Sequence, residues 1–517
     1  MKRSVFFWIL LFGYYTLAAQ YQKPNILLIH TDDHRFSAVG VNSQQGVNTP
    51  HIDALAKNGI NFSNAYLMGS FSGATCIPSR AMLLTGRNLF QLQGVGNSIP
   101  EQHTMIGETL MRSGYFAYHV GKWHQDFKSL SRSAHDGAKV SGKPAYLTDQ
   151  YRMPFHDWSK EGNYNRNSCY LLCYDDKGKT YRRPFNTADK HGPIGTETTG
   201  PHVSEVLAEE ATYFIESYKK QQPFFMYLAF PTPHDPRQAP TSFKEMYLED
   251  AVELPPSYME NHPFDNGHLY VRDEQLALWP RTQKEVKKHL SDYYAIITHM
   301  DDQIGKIVDA LKATGQYDNT LIVFVGDSGL AVGNHGLMGK QNIYDEDGIH
   351  IPLMFSGGWM NRFVTGTTKS AFCYNFDIFP TLCEMIGVPV PQSVSGRSLF
   401  NVIQGKKDHL RNELFFAYRQ HQRAYRKGNL KLIEYVQAPD KDRKSNTFVS
   451  GTRITQLFDI NQDPWETTNL ATLSKYKSVV KKMRKAMLAN AKAYNDTADG
   501  MRTTYNFWDY FDETINE

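Results

Sequence analysis

The 517-residue sequence is poor in cysteine, in long apolar segments and in charge of one sign. Five cysteines are too few for a disulfide-stapled scaffold of this length, and an odd number leaves one thiol outside disulfide pairing. The 56 Lys and Arg nearly balance the 53 Asp and Glu, so the net charge of +3 gives no reason to expect a nucleic-acid partner. A hydrophobic content of 41% instead predicts a large α/β catalytic unit with a smaller appended one.

The amino terminus has the composition of a secretory signal. Lys2 and Arg3 precede an apolar run over residues 5–12, and small residues follow at 16–19. A membrane anchor is the alternative, but the run is interrupted at Gly13 and is short for a membrane span. We therefore predict a signal peptide over 1–19, export to the periplasm or outside the cell, and no stable membrane insertion.

Four short apolar runs each end abruptly in polar residues. They cover residues 25–30, 115–120, 224–230 and 321–325, and such runs are typical of strands that are covered on both faces. Helical patterns over 48–59, 202–220 and 284–315 separate them. This alternation predicts an α/β fold with a large, mostly parallel sheet flanked by helices, which binds ligands at the carboxyl ends of its strands. We expect the four polar clusters to meet at that edge.

The pattern of apolar and polar residues changes near residue 400. Short strand candidates at 414–418, 430–433 and 456–459 precede a helical pattern over 475–494. They predict a smaller C-terminal α+β domain on a short antiparallel sheet. The resulting division is a signal peptide over 1–19, a catalytic domain over 20–400 and a C-terminal subdomain over 401–517. The polar residues 127–200, rich in Tyr and Arg, are predicted to form a surface insertion near the active edge.

The cysteines pair most simply by spacing. Cys169 is close in sequence to Cys173, and Cys373 is close to Cys383, although each pair is equally compatible with free thiols. Cys76 is then the unpaired cysteine.

Three carboxylates follow two of the predicted strands. Asp32 and Asp33 end the first run, and Asp327 ends the last. Desolvated carboxylates side by side repel each other and have raised pKa values, and a bound cation removes that penalty. A single Asp-Asp pair commonly caps a turn, but here both sites end core strands. Because no dense His or Cys set accompanies them, these oxygens favour Ca²⁺ or Mg²⁺ over Zn²⁺.

Cationic and imidazole side chains follow the same strands or lie at a helix start. A divalent cation together with such donors is matched to a tetrahedral oxyanion, either phosphate or sulfate. The candidates are Arg80, Lys122, His124, His234, His335 and Lys340.

Cys76 lies just before a predicted helix. Pro78 suits the first turn, and Gly86 is a natural stop. The cysteine is then at the positive helix end, where anions and thiolates are favoured. From these residues alone it is a buried thiol, a thiolate nucleophile or a modified residue, although a thiolate is poorly matched to sulfur or phosphorus beside a hard cation.

Residues 76–86 read Cys-Ile-Pro-Ser-Arg-Ala-Met-Leu-Leu-Thr-Gly. This segment resembles the signature Cys-x-Pro-Ser-Arg-x-x-x-Leu-Thr-Gly of the formylglycine-dependent sulfatases, a family of the alkaline-phosphatase superfamily. Further segments resemble family blocks in family order, at 24–33, 49–53, 121–124, 233–234, 326–340 and 457–470. The resemblance covers nearly the whole chain after the predicted signal peptide, and it extends to bacterial polysaccharide sulfatases and iduronate-2-sulfatase-like enzymes.

The resemblance implies that Cys76 is oxidised to formylglycine (3-oxoalanine) by a formylglycine-generating maturation enzyme. One hydroxyl of the hydrated aldehyde, bound to a single Ca²⁺, attacks sulfur in the family mechanism, and a base matching His124 then helps to expel sulfate. The implied metal ligands are Asp32, Asp33, Asp327, the residue derived from Cys76 and Ser328, where the family usually has Asn or His. Either Asn334 or His335 is the alternative to Ser328.

The remaining implied roles concern charge and the leaving group. Arg80 and Lys122 hold the diol, while His234 and Lys340 grip the sulfate and supply the proton to the leaving alcohol. His335 is expected to support the site from behind.

These features predict a secreted sulfatase that hydrolyses a sulfate ester on carbohydrate, a sulfated polysaccharide or its oligosaccharides. One alternative is a phosphomonoesterase or phosphodiesterase of the same superfamily with two Zn²⁺ ions, which the lack of a second His- and Asp-rich cluster disfavours. Another is an inactive glycan-binding homologue, which Cys76 and Arg80 disfavour. A cluster near residue 420 either faces the sugar or is solvated surface, and it comprises Tyr418, Arg419, His421 and Arg423.

Overall fold

The computed structural model describes residues 23–43, 46–142, 149–436, 453–496 and 507–511. The predicted signal peptide lies outside this part of the chain. Among the described residues, no helix combines the length and the apolar character that crossing a membrane requires.

Within the described residues the chain forms eighteen strands and ten α-helices. The strands are β1 (Asn25–Thr31), β2 (Ile60–Phe62), β3 (Ala65–Tyr66), β4 (Gly69–Ser70), β5 (Phe116–Lys122), β6 (Asp136–Ser141), β7 (Phe155–His156), β8 (Cys169–Tyr174), β9 (Thr180–Pro184), β10 (Phe224–Ala229), β11 (Thr320–Gly326), β12 (Leu353–Ser356), β13 (Thr367–Lys369), β14 (Cys373–Tyr374), β15 (Glu413–Tyr418), β16 (Gln422–Lys427), β17 (Leu430–Val436) and β18 (Arg453–Asp459). The helices are α1 (Pro50–Lys57), α2 (Cys76–Thr85), α3 (Ile106–Arg112), α4 (Phe127–Ser133), α5 (Val203–Ser217), α6 (Thr241–Lys244), α7 (Gln283–Ala313), α8 (Ile378–Met385), α9 (Phe400–Ile403) and α10 (Lys477–Tyr494).

The main sheet has eleven strands in the order β13-β2-β12-β11-β1-β10-β5-β6-β7-β8-β9. The four predicted strands are adjacent in it, as β11-β1-β10-β5, and all three of their pairings are parallel. Leu27 and Ile29 of β1 pack with residues of α1, α5 and α7 on one face, whereas Ile26 and Leu28 pack with residues of α2, α3 and α8 on the other. Each of these fully buried side chains contributes about 1.5–3 kcal/mol. The predicted α/β sheet with helices on both faces is confirmed.

Residues 127–200 do not form a separate surface insertion. Strand β6 continues the main sheet by pairing in parallel with β5, and β7, β8 and β9 extend it in antiparallel fashion. Strand β9 is four strands beyond β5, about 19 Å away at the usual spacing of about 4.8 Å per strand. The prediction that this region is an insertion near the active edge is therefore wrong for its distal strands.

The cysteines are free thiols. Cys169 and Cys173 lie on the same strand, β8, and four residues of extended chain separate them by about 13 Å, far beyond disulfide reach. Cys373 lies on β14 and Cys383 on α8, and they are not bonded to each other.

The smaller sheet has the order β18-β17-β16-β15-β4 and is antiparallel except for the β15–β4 pair. Strand β4 comes from the segment just before α2, so this sheet is anchored beside the start of that helix. Strand β16 was not predicted, because its sequence, Gln-Arg-Ala-Tyr-Arg-Lys, has no apolar run. The smaller α+β unit on a mostly antiparallel sheet agrees with the sequence analysis.

The cluster near residue 420 is not solvated surface at most of its positions. Tyr418, His421 and Arg423 are each 1% exposed or less. The Arg423 guanidinium donates to both carboxylate oxygens of Asp496, at 2.6 and 2.8 Å. Burial against this partner explains why these polar residues lie inside the protein.

Candidate active site

Cys76 is the first residue of α2 and is 2% exposed. Pro78 lies in the first turn of this helix, as predicted, and the helix ends as expected before Gly86, whose φ of 62° suits glycine. The Cys76 Sγ lies 3.2 Å from Nδ1 of His124, which follows β5. The thiol therefore faces the carboxyl edge of the main sheet.

The Cys76 thiol is neutral as it stands. Burial raises its pKa to about 12, and the positive charges of Lys122 and Lys340 offset this effect only in part. Because the thiolate is the nucleophilic form of cysteine, burial at this position disfavours an unmodified thiolate nucleophile.

The three aspartates meet as the sequence predicts. In the sheet register Thr31 of β1 is opposite Gly326 of β11, so Asp32 and Asp327 leave adjacent strands side by side. Asp33 has a φ of 62°, and its backbone N–H donates to Asp327 Oδ1 at 2.8 Å. All three carboxylates are 1% exposed or less. This turn, a strained conformation for a residue with a side chain, brings the carboxylate of Asp33 to the same point.

Four of the predicted basic side chains contact these carboxylates. Lys122 bonds Asp32, and Lys340 bonds Asp33. The Arg80 guanidinium lies 3.2 Å from Asp32 Oδ2 and 3.7 Å from Asp327 Oδ2. Nε2 of His234 lies 3.8 Å from Asp33 Oδ2. Together with His124 at the thiol, they line one site.

The pKa values of the two central aspartates diverge. Burial alone would raise the pKa of Asp32, but Lys122 and Arg80 hold it well below its usual value, so the predicted rise is wrong there. For Asp327, burial and then the charge of Asp32 raise the pKa well above its usual value, as predicted. Lys122 and Arg80 therefore compensate the charge of Asp32 more fully than that of Asp327.

The arrangement fits a divalent cation. Asp32 Oδ1 and Asp327 Oδ2 are buried and accept no hydrogen bond from any described residue. Ligand atoms of Asp32, Asp33 and His234 lie within 4.8 Å of one another, as do those of Asp32, Cys76 and Asp327. Since both groups contain Asp32, they describe one centre, whose oxygen donors suit a hard cation.

Ser328 and His335 differ in their placement. Ser328 Oγ lies 3.3 Å from Asp33 Oδ1 and 3.4 Å from Asp327 Oδ1, inside the cluster. His335 is bonded to Asp347 at 2.6 Å and to the carbonyl of Glu466, and it stacks on Tyr344. Its neighbour Asn334 bonds Arg35 and Ser257. Neither His335 nor Asn334 takes the place of Ser328 beside the carboxylates.

Sequence reasoning missed Tyr227 of β10. Its hydroxyl lies 3.3 Å from Arg80 and 2.7 Å from Nδ1 of His30, so it helps to hold the guanidinium. Within an apolar strand, a tyrosine is indistinguishable from a packing residue. Ser79, inside the signature segment, donates to the backbone carbonyl of Asp327 at 2.6 Å and thereby ties α2 to β11.

Comparison with known proteins identifies the family. The family model described as Sulfatase matches residues 24–388, and the model described as N-sulphoglucosamine sulphohydrolase, C-terminal, matches residues 333–493. An arylsulfatase of Clostridium perfringens is 26% identical over 488 residues, 90% of this chain and 94% of that protein. An N-acetylglucosamine-6-O-sulfatase of Bacteroides thetaiotaomicron is 24% identical over 526 residues, 94% of this chain and 89% of that protein.

A solved structure shows the same fold. The structure of BT4656 in complex with its substrate D-glucosamine-2-N,6-O-disulfate superposes with a TM-score of 0.68 at 20% identity, covering 92% of this chain and 98% of that one. The first family model alone spans more than half of the sequence. The chain therefore belongs to the sulfatase family and is a sulfuric ester hydrolase.

Proposed function

We propose that this chain is an exported, calcium-dependent sulfatase that hydrolyses sulfate esters on a polysaccharide or its oligosaccharides, with a nucleophile derived from Cys76. The observation that carries the proposal is the position of the Cys76 side chain. It is buried, neutral and 3.2 Å from His124, at the point where three carboxylates and several cations converge. A thiol in this state does not attack sulfur, so a modified residue explains the surroundings better.

The nucleophile is formylglycine, made from Cys76 by a maturation enzyme. The hydrate of its aldehyde supplies a hydroxyl group in place of the thiol. Burial, reinforced by Lys122, holds the pKa of His124 well below its usual value, so the imidazole is neutral. Its Nδ1 is therefore able to accept a proton from the group on the β-carbon of residue 76.

Asp32, Asp33 and Asp327, with Ser328 beside them, hold the Ca²⁺. When bound, this ion supplies the positive charge that offsets the carboxylates and the developing charge of the reaction. Two carboxylate oxygens that accept no hydrogen bond from the described residues, Asp32 Oδ1 and Asp327 Oδ2, support this assignment.

The basic side chains form two pairs, one near the nucleophile at residue 76 and one near the leaving alcohol. Arg80 and Lys122 lie on the Asp32 side and offset charge near residue 76. His234 and Lys340 lie on the Asp33 side, where they bind the sulfate and supply the proton to the leaving alcohol. An alcohol of a sugar is a poor leaving group, so proton donation is essential to this chemistry.

The substrate class follows from the relatives. One is named for sulfate on N-acetylglucosamine, and a structure with the same fold holds a disulfated glucosamine. We extend this to a sulfated carbohydrate here, degraded outside the cytoplasm by an exported enzyme with a catalytic domain over 20–400 and a C-terminal subdomain over 401–517.

A panel of sulfated oligosaccharides tests the proposal through released sulfate. We expect release by the matured enzyme and none by Cys76→Ala. The control is Cys173→Ala, which removes a half-buried free thiol on β8 and should retain full activity. Hydrolysis of phosphate esters without hydrolysis of any sulfate ester would instead support the phosphoesterase alternative.

A further inference from the structure

Three consecutive charged residues, Arg272, Asp273 and Glu274, lie between β10 and α7. Asp273 and Glu274 are 6% and 2% exposed, although the segment has little regular structure. We refer to residues 272–274 as the clamp. Its side chains contact both of the loops that carry the residues facing the leaving group.

The first contact reaches His234 through Asp235. Nδ1 of His234 lies 2.8 Å from the backbone carbonyl of Asp235 and 3.3 Å from its carboxylate, which leaves Nε2 on the side of Asp33. Arg272 in turn donates two hydrogen bonds to that carboxylate, at 2.6 and 2.9 Å. A bidentate guanidinium fixes the plane of a carboxylate, so Arg272 sets the group that orients the ring.

The second contact reaches the backbone next to Lys340. The carboxylate of Glu274 accepts the N–H groups of Met338 at 2.9 Å and Gly339 at 3.0 Å, and a hydrogen bond from Arg281. A β-carbon at Gly339 would lie 3.0 Å from Glu274 Oε1 and 2.3 Å from Gln341 Oε1, so a larger residue would require these two side chains to shift. Glu274 thereby fixes the peptide units that precede Lys340.

Asp273 closes the network between the two contacts. It accepts hydrogen bonds from Arg272 Nε at 2.9 Å and from Gln341 Nε2 at 2.7 Å. The same Gln341 amide donates to the carbonyl of Gly73, in the loop that leads to Cys76. Three successive side chains therefore link the loops of His234, Lys340 and Cys76.

We propose that the clamp positions His234 and Lys340 together, so that proton donation to the leaving alcohol depends on Arg272. This inference rests on the proposed function of these two residues. A purely stabilising ion pair is the competing explanation. It accounts poorly for Arg272, whose side chain is 52% exposed, because exposed ion pairs contribute little to stability. We therefore expect Arg272 to act mainly by orienting the buried carboxylate of Asp235, and only slightly by stabilising the fold.

The leaving group distinguishes positioning from general stabilisation. A sugar alcohol needs a proton as it leaves, whereas 4-nitrophenolate leaves without one. For Arg272→Met we expect kcat on a sulfated oligosaccharide substrate to fall about tenfold, and kcat on 4-nitrophenyl sulfate to fall less than about threefold. KM should stay within about twofold on both. Arg272→Lys, which keeps the charge but not the fork, should lie between wild type and Arg272→Met.

The matched control is Arg182→Met. Arg182 is also 52% exposed and makes a two-bond contact with a carboxylate, that of Asp157, beside the distal end of the main sheet. Arg182→Met should leave kcat unchanged on both substrates. Arg272→Met and Arg182→Met should both keep the wild-type Tm. Equal losses on the two substrates, or no loss on either, would overturn the proposal. Sulfate release by the wild-type enzyme tests the proposed function separately, since the clamp concerns only the ratio of the two rates.

Discussion

The carboxylates beside Cys76 and the carboxylate of Asp345 are almost equally buried, yet their oxygens have different partners. Asp345 bonds Lys431 through Oδ1 at 2.5 Å, and Tyr66 and Arg426 through Oδ2 at 3.0 and 3.1 Å. At the site, Asp32 Oδ1 and Asp327 Oδ2 have no hydrogen-bond donor among the described residues. Both carboxylate oxygens of Asp345 accept hydrogen bonds from neighbouring side chains. The cluster beside Cys76 instead has two acceptor atoms that remain available to a ligand.

The pKa values of Asp345 and Asp327 also differ, in the direction of their shifts. Burial would raise the pKa of Asp345, but Lys431 and Arg426 lower it to about 2. The pKa of Asp327 moves in the opposite direction, through burial and the charge of Asp32. The contrast concerns Asp327 in particular, because Lys122 and Arg80 lower the pKa of Asp32 in the same site, as Lys431 and Arg426 lower that of Asp345.

The strongest test of this comparison is Asp327→Asn. We expect sulfate release to fall more than about 100-fold, because a charged ligand of the cation is lost. The free energy of unfolding without added cation should be unchanged or higher, since the removed charge is opposed by burial and by Asp32. Thermal unfolding with and without Ca²⁺ provides the check. A Ca²⁺-dependent rise in Tm that persists undiminished in Asp327→Asn would contradict the assignment.

Asp345→Asn should show the reverse pattern. Removing this carboxylate leaves Arg426 without its ion-pair partner and Lys431 with Glu466 alone, and breaking a buried pair costs about 3–5 kcal/mol. Denaturant unfolding measures this loss, while kcat of the fraction that remains folded should stay within about threefold of wild type. If stability is unaffected and kcat collapses, the two clusters have been assigned the wrong way round.

The pH dependence of stability follows from the lowered pKa of Asp345. A depressed carboxyl pKa stabilises the fold above its unfolded-state value of about 3.9, and this contribution disappears as pH falls through about 2. It is worth on the order of 2 kcal/mol. Unfolding free energies measured between pH 5 and 3 should therefore fall less steeply in Asp345→Asn than in wild type. Identical slopes would show that Asp345 is not paired as described.

The smallest expected effect is at Ser328. Its hydroxyl lies beside two carboxylates, so Ser328→Ala should weaken Ca²⁺ affinity by about tenfold or less. Ser328→Asn, which restores the amide usual in the family, should match or exceed wild-type affinity in a calorimetric titration. A loss of affinity in Ser328→Asn larger than in Ser328→Ala would exclude a position among the ligands.

The sequence predicted the parts of the site that are local in the chain. Each of the four central strands is an apolar run, and the functional residues lie at its end or in the loop that follows. The sequence position of such a residue therefore predicts that it lies at the carboxyl edge of the sheet. Asp32, Lys122 and Asp327 were found in this way. Cys76 was found from its neighbours, since Pro78 and Gly86 mark the helix that it begins.

The parts that were missed depend on partners distant in sequence. Arg423 is buried only because Asp496, 73 residues away, pairs with it. The sequence likewise does not predict the clamp, because Arg272 lies 37 residues from Asp235 and neither residue lies in a periodic hydrophobic pattern. The resemblance implies that His335 supports the site from behind, and the contacts of its ring with Asp347 and the carbonyl of Glu466 could not be read from the sequence.

The most direct test of the central claim is the chemical state of residue 76 in an active preparation. Peptide mass spectrometry of enzyme that releases sulfate from a sulfated oligosaccharide should show an aldehyde at residue 76, with the sulfur lost, in proportion to specific activity. A fully active preparation in which Cys76 retains its thiol would contradict the account.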